Sequence, residues 1–100
     1  MVKNIGVIGA GTMGRGIAYT AALSGFNVVL QDISEDALAR AKDYIESLLE
    51  RSVEKGYVQP DERERALTNL SYTTKLQDAA RDADLVIEAA LEVMEIKIDI

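Results

Sequence analysis

Gly9, Gly11 and Gly14 stand at a Gly-x-Gly-x-x-Gly spacing, and Asp32 follows 18 residues after the last of them. Each glycine answers a separate steric demand. Gly9 allows a tight turn, Gly11 leaves the backbone bare for a close approach, and Gly14 lets a following helix lie near its sheet. A pyrophosphate would then meet the unpaired N–H groups and the positive dipole end of that helix. A carboxylate at Asp32 is placed to accept from ribose hydroxyls. The chemistry is dinucleotide holding by the run Gly9, Ala10, Gly11, Thr12, Met13 and Gly14 together with Asp32. Taken alone, the glycine triplet is also a plain strand-to-helix turn, and the flanking elements must decide.

Those elements have the required order. Ile5-Gly6-Val7-Ile8 is an apolar run of strand length, predicted as a strand over 4–8 and buried on both faces as in a parallel sheet. Helical spacing of Met13, Ile17, Ala18, Ala21 and Ala22 predicts a helix over 12–24, stopped by Gly25. Asn27-Val28-Val29-Leu30-Gln31 is a second strand that delivers Asp32 at its end. Ser34 is a candidate N-cap with Glu35 and Asp36 in the first turn, and Leu38, Ala41, Ile45, Leu48 and Ser52 carry a long helix to about Lys55. Pro60 opens another helix that ends near Asn69. Residues 34–69 thus form a helical hairpin between the second and third strands, where a simple crossover needs only one helix. A strand over 70–73, a short helix over 76–80, a strand over 84–90 and a last helix from Glu92 or Val93 follow, the last on the spacing of Val93, Ile96 and Ile100. The pattern is a Rossmann-like α/β fold: a doubly wound parallel sheet, with right-handed crossovers and a hairpin inserted. It is expected to stop at Ile100, short of a complete sheet.

One hundred residues allow one small domain, with 48% apolar and 28% charged residues and a net charge of −6. The acidic balance speaks against nucleic acid and anionic membranes as partners. No cysteine is present, which removes disulfide and thiolate chemistry and fits a reducing cytoplasm. No apolar run approaches membrane-spanning length. No histidine is present either, and this bears on catalysis.

The run from Gly6 to Ala18, the ending Val29-Leu30-Gln31-Asp32, and Asp84-Leu85-Val86-Ile87-Glu88-Ala89-Ala90-Leu91-Glu92 resemble the N-terminal NAD-binding domain of the 3-hydroxyacyl-CoA dehydrogenases, most closely the 3-hydroxybutyryl-CoA type. The resemblance covers nearly the whole chain, hairpin included. It implies NAD as cofactor, acyl-CoA as substrate, and interconversion of (3S)-3-hydroxyacyl-CoA and 3-ketoacyl-CoA in fatty acid and butanoate metabolism. It also implies that Glu92 and Lys97 lie around the nicotinamide ribose, that Lys55 lies near the CoA phosphates, and that Ser47 is close to a CoA contact. Plainer readings stand beside these. Asp32 can be a turn former, Glu92 an acid at a helix start, and Lys55 and Lys97 solvated lysines. Leu91 and Val93-Met94 depart from the family pattern.

The family's catalytic histidine and its glutamate partner fall beyond the residues given, as does the C-terminal helical domain through which a homodimer forms. The 100 residues by themselves are therefore expected to be inactive, and no catalytic residue is assigned within them. Two other readings remain: a different NAD-linked hydroxy-acid or sugar-acid dehydrogenase, and a non-catalytic nucleotide-binding relative. The β-hydroxyacid group places an Asn-Arg pair where this chain has Gln31-Asp32-Ile33.

Overall fold

Isolated strands of four or five residues hold no stable shape, so the apolar runs must find one another. A computed structural model of the chain describes residues 1–89 and the backbone of 95–97. The elements are β1 (Asn4–Ile8), α1 (Thr12–Leu23), β2 (Asn27–Gln31), α2 (Glu35–Glu54), α3 (Pro60–Asn69), β3 (Leu70–Thr73), α4 (Leu76–Ala80), β4 (Leu85–Glu88) and β5 (Glu95–Lys97). They form one sheet in the order β3-β2-β1-β4-β5. The first four strands are parallel, with Val7 opposite both Leu30 and Ile87, and Leu30 opposite Tyr72. The chain leaves β1 toward β2 on one side and reaches β4 on the other. The switch of direction therefore lies at the carboxyl end of β1, where open α/β sheets bind ligands.

Period-two alternation sorts the strand side chains. Ile5, Val7, Val28, Leu30 and Leu70 enter the core with Ala18, Ala21 and Ala22 of α1 and Leu38, Ala41, Ile45 and Leu49 of α2. Among the described residues, Leu30, Ile45, Leu49, Val7 and Val28 are the largest fully buried side chains. Truncation of Leu30 or Ile45 to alanine would cost about 2–5 kcal/mol. On the opposite face the carbonyl of Ala79 in α4 occupies the space that a Cβ at Gly6 would need, so α4 crosses directly over β1.

The hairpin is built as its sequence requires. Ser34 Oγ accepts from the Ala37 N–H at 3.1 Å, and Glu35 and Asp36 occupy the first turn of α2. Pro60 sits at the start of α3, where its missing N–H costs nothing, and the Gln59 N–H donates to Glu62 Oε1 at 2.9 Å. Tyr19 and Ser52 share a hydrogen bond of 3.1 Å that ties α1 to α2. Burial, then the nearby Glu46 carboxylate, pushes the Tyr72 hydroxyl up to about 12. At the amino ends of the strands, Asp84 Oδ2 accepts from the N–H groups of Lys3 and Asn4 at 2.8 and 3.0 Å. These two bonds hold its carboxyl below its ordinary 3.8.

Three expectations need correction. Residues 95–97 are not helical: they pair antiparallel with β4, Ile96 opposite Ile87 and Lys97 opposite Val86. A free edge of β4 offers a row of unmet N–H and C=O groups, and pairing a short strand there satisfies them; an apolar i, i+3 pair is too little to demand a helix. The rest of that expected helix, with Val93 and Ile100, lies outside the described residues. In α2 the buried residue is Leu49, not Leu48, because the stripe steps from Ile45 by four and then by three to Ser52. Finally, β4 is shorter than expected, and its four residues are half-buried rather than buried on both faces.

Candidate dinucleotide site

β1 ends at Ile8, and the next residue turns the chain. Gly9 has φ +101°, a left-handed value that side chains with a Cβ resist. Its N–H donates to the Gln31 carbonyl at 2.7 Å, holding the loop to the end of β2. A Cβ at Gly14 would run into the Gly9 carbonyl, with Val7 Cγ1 at 3.6 Å behind it. The first turn of α1 therefore lies directly on the glycine turn. At Gly11 a Cβ would meet nothing within 4 Å. Among the described residues nothing requires that glycine to be bare, and its backbone faces open space.

Gly11 is also the N-cap of α1, at φ −72° and ψ −164°, and no side chain caps it. Among the described residues no protein acceptor meets the N–H groups of Gly11, Thr12, Met13 or Gly14; the helical ladder begins with Arg15 N–H to Gly11 carbonyl at 3.0 Å. The first turn carries no acidic residue. Four converging donors, about half a positive charge from the helix dipole, and open space above Gly11 make a receptor for a phosphate oxygen.

Asp32 joins this loop. Its Oδ2 accepts from the Ala10 N–H and its Oδ1 from the Ser34 N–H, both at 2.9 Å. An ionised carboxylate offers about four acceptor positions, so each oxygen keeps capacity for a hydroxyl donor. The Asp32 N–H donates to the Thr73 carbonyl at 3.2 Å, which fixes the acid between the ends of β2 and β3. Gln31, only 4% exposed, donates from Nε2 to the Thr74 carbonyl at 3.1 Å and steadies the same corner. Gln31 was readable as a polar residue closing an apolar strand; the Asp32–Ala10 bond had no sequence signal.

The sequence-predicted residues separate into two groups. Gly9, Ala10, Gly11, Thr12, Met13, Gly14 and Asp32 come together at the carboxyl ends of β1 and β2. Lys55 does not join them: it is the exposed C-cap of α2, about 30 Å along a 20-residue helix from its start. Ser47 is exposed on the same helix. Lys97 lies on β5, on a strand rather than the expected helix. Glu92 falls outside the described residues.

Comparison with known proteins gives the family. The family model described as 3-hydroxyacyl-CoA dehydrogenase, NAD binding domain, matches residues 4–100. This chain belongs to that family. Its cofactor is accordingly NAD. The chain is 47% identical over 97 residues to a 3-hydroxybutyryl-CoA dehydrogenase of Bradyrhizobium diazoefficiens, covering 97% of this chain and 33% of the relative. A probable 3-hydroxybutyryl-CoA dehydrogenase of Deinococcus radiodurans is 50% identical over 95 residues, with 95% and 34% covered. Among solved structures, the (S)-3-hydroxybutyryl-CoA dehydrogenase of Ralstonia eutropha superposes with a TM-score of 0.87 at 36% identity, covering 93% of this chain and 32% of that one. The chain thus spans about a third of the length of these relatives. Among the described residues, no helix is long and apolar enough to cross a membrane.

Proposed function

We propose that residues 1–100 form the NAD-binding domain of a dehydrogenase that interconverts (3S)-3-hydroxyacyl-CoA and 3-ketoacyl-CoA in fatty acid and butanoate metabolism. The observation that carries this reading is the open N-terminus of α1, with four unclaimed N–H groups, beside a carboxylate already oriented by Ala10 and Ser34. Gly9, Ala10, Gly11, Thr12, Met13 and Gly14 hold the pyrophosphate. Asp32 accepts from the adenosine ribose hydroxyls. Glu92 and Lys97 act around the nicotinamide ribose, and Lys55 meets the CoA phosphates at the far end of the hairpin 34–69. Arg51, one turn before Lys55 and also exposed, adds a second cation there. Similarity to a fatty acid oxidation complex subunit alpha of Idiomarina loihiensis, 40% identical over 96 residues, supports the metabolic setting.

NAD supplies a hydride acceptor for the C3 hydrogen of the hydroxyacyl group. This chain's own residues bind and orient it: the α1 N-terminus neutralises the pyrophosphate, and Asp32 fixes the adenosine end. The hydroxyl proton needs a base near neutral pKa, and this chain has no histidine to offer. We assign that base, the second helical domain and the homodimer contact to sequence beyond these residues. The cytoplasm is the assigned compartment, in keeping with a chain free of cysteine.

The test is nucleotide choice together with turnover. Asp32 sets a negative charge where a 2′-phosphate would lie, so the full-length protein should prefer NAD to NADP by about tenfold or more. Asp32→Ala should weaken NAD and narrow that gap. NADH oxidation with acetoacetyl-CoA should be seen in the full-length protein and not in residues 1–100. Equal affinity for the two nucleotides, or turnover by the short chain, would overturn these roles.

A further inference from the structure

The helix α2 carries two adjacent stripes. Leu38, Ala41, Ile45, Leu49 and Ser52 are buried against the domain. One position to the side, Tyr44, Leu48, Arg51 and Lys55 recur at i, i+4, i+7 and i+11, and so share a face of the helix. Tyr44 is 38% exposed and Leu48 half-buried, while Arg51 and Lys55 are exposed. The stripe is aromatic and apolar at one end and cationic at the other, over about 16 Å of helix. Its aromatic end rests on the nucleotide-binding helix: the Arg15 guanidinium lies over the Tyr44 ring, 4.3 Å from the centroid. Arg15 closes the first turn of α1, directly after Gly14.

Arg15 is not explained by charge pairing. The chain has 17 acidic residues against 11 basic ones, yet none of its described ion pairs includes Arg15. Its Nε is buried with no hydrogen-bond partner among the described residues. A flat guanidinium in that position does one thing well: it stacks on an aromatic face and holds the ring.

We propose that Arg15 is a positioning residue that fixes the Tyr44 ring as a rigid floor for the uncharged pantetheine stem of the acyl-CoA, whose phosphates lie at Arg51 and Lys55. This orientation rests on the role of Lys55 given above and extends it. It points the thioester end of the substrate toward the glycine loop and the bound nucleotide, and the phosphates away from them. The ring, not the guanidinium, touches substrate; Arg15 acts through it.

The experiment uses the full-length protein and two substrates, acetoacetyl-CoA and acetoacetyl-pantetheine, which keeps the stem and lacks the nucleotide phosphates. Arg15→Ala and Tyr44→Ala should each raise KM roughly five- to tenfold for both substrates, with a smaller change in kcat. Their combined effect should be less than the product of the two. Tyr44→Phe, which keeps the ring, should retain most of the parent's KM. Lys55→Ala should raise KM for acetoacetyl-CoA and leave acetoacetyl-pantetheine unaffected. NADH dissociation constants, read by fluorescence, should stay within about twofold in the Arg15 and Tyr44 variants. A parent-like KM in Arg15→Ala and Tyr44→Ala, with Lys55→Ala still impaired, overturns the floor and leaves the phosphate contact standing. A parent-like KM in Lys55→Ala overturns the phosphate contact itself and with it this orientation. Loss of NADH affinity in Arg15→Ala places the arginine in the nucleotide cradle and equally overturns the proposal.

Discussion

The helices α1 and α2 begin in the same way, each directly after a parallel strand at the carboxyl edge of the sheet, and their N-termini are treated oppositely. α2 has Ser34 Oγ on the Ala37 N–H and two acids in its first turn. α1 has a glycine cap, no side-chain bond and no acid. The chain thus supplies a side-chain cap to one helix start and none to the other. A capped N-terminus contributes stability; an open one contributes a binding site at the expense of stability. That difference, together with the glycine spacing, is what the proposed phosphate site at α1 rests on.

The largest effect should come from Gly14→Ala, because the added methyl meets the Gly9 carbonyl, which is backbone and cannot swing aside. A loss on the order of 3 kcal/mol is expected, read as a lower thermal midpoint together with lost NAD binding. A parent-like melting curve would mean that the first turn of α1 does not lie where the comparison needs it.

Gly11→Asp gives α1 the cap and the charge that α2 already has. The Gly11 backbone is in the extended region suited to an N-cap, and the side chain would enter open space. The helix should gain about 0.5 kcal/mol while NAD affinity falls by at least about a hundredfold, on the order of 3 kcal/mol. Gly11→Ala should show the same opposition in milder form, with an unchanged circular dichroism spectrum. Retained NAD binding in Gly11→Asp would place the phosphates elsewhere.

Ser34→Ala makes the converse change, opening α2. It should cost about 1 kcal/mol of stability, measurable by urea denaturation. NAD affinity should shift less than stability, since the Asp32 bond to the Ser34 N–H is to backbone and survives. The smallest effect belongs to Asp84, at the opposite end of the strands from both helix starts. Its carboxyl is held below 3.8 by the Lys3 and Asn4 N–H groups. Its contribution is present above the ordinary carboxylate range and is lost as pH falls through the lowered folded value. Asp84→Asn should therefore flatten the acid limb of the thermal midpoint below about pH 4 and leave the NAD affinity at neutral pH unaltered.

Much of this architecture was legible because its signals are local. Ser34 announced the start of α2, Pro60 that of α3, and Gly25 the end of α1. The apolar runs named four strands in order, and the right-handed crossover rule left few ways to join them. Where the sequence reading slipped, two neighbours were equally apolar, as with Leu48 and Leu49, or the deciding partner lay on another element. Ile96 matched a helical spacing with Val93, but the free edge of β4 took residues 95–97 as a strand.

By itself the sequence determined the parallel α/β order, the glycine turn, and the acid at the end of the second strand, because spacing along the chain fixes each of them. The tertiary structure alone decided that Asp32 reaches back to the Ala10 N–H. It alone showed that none of the described residues fills the space above Gly11, and that Gly14 is needed because of Gly9. It also brought Arg15 over Tyr44, 29 positions apart in the chain. Such contacts depend on how strand ends and helix faces meet across the fold, and no local pattern encodes that meeting.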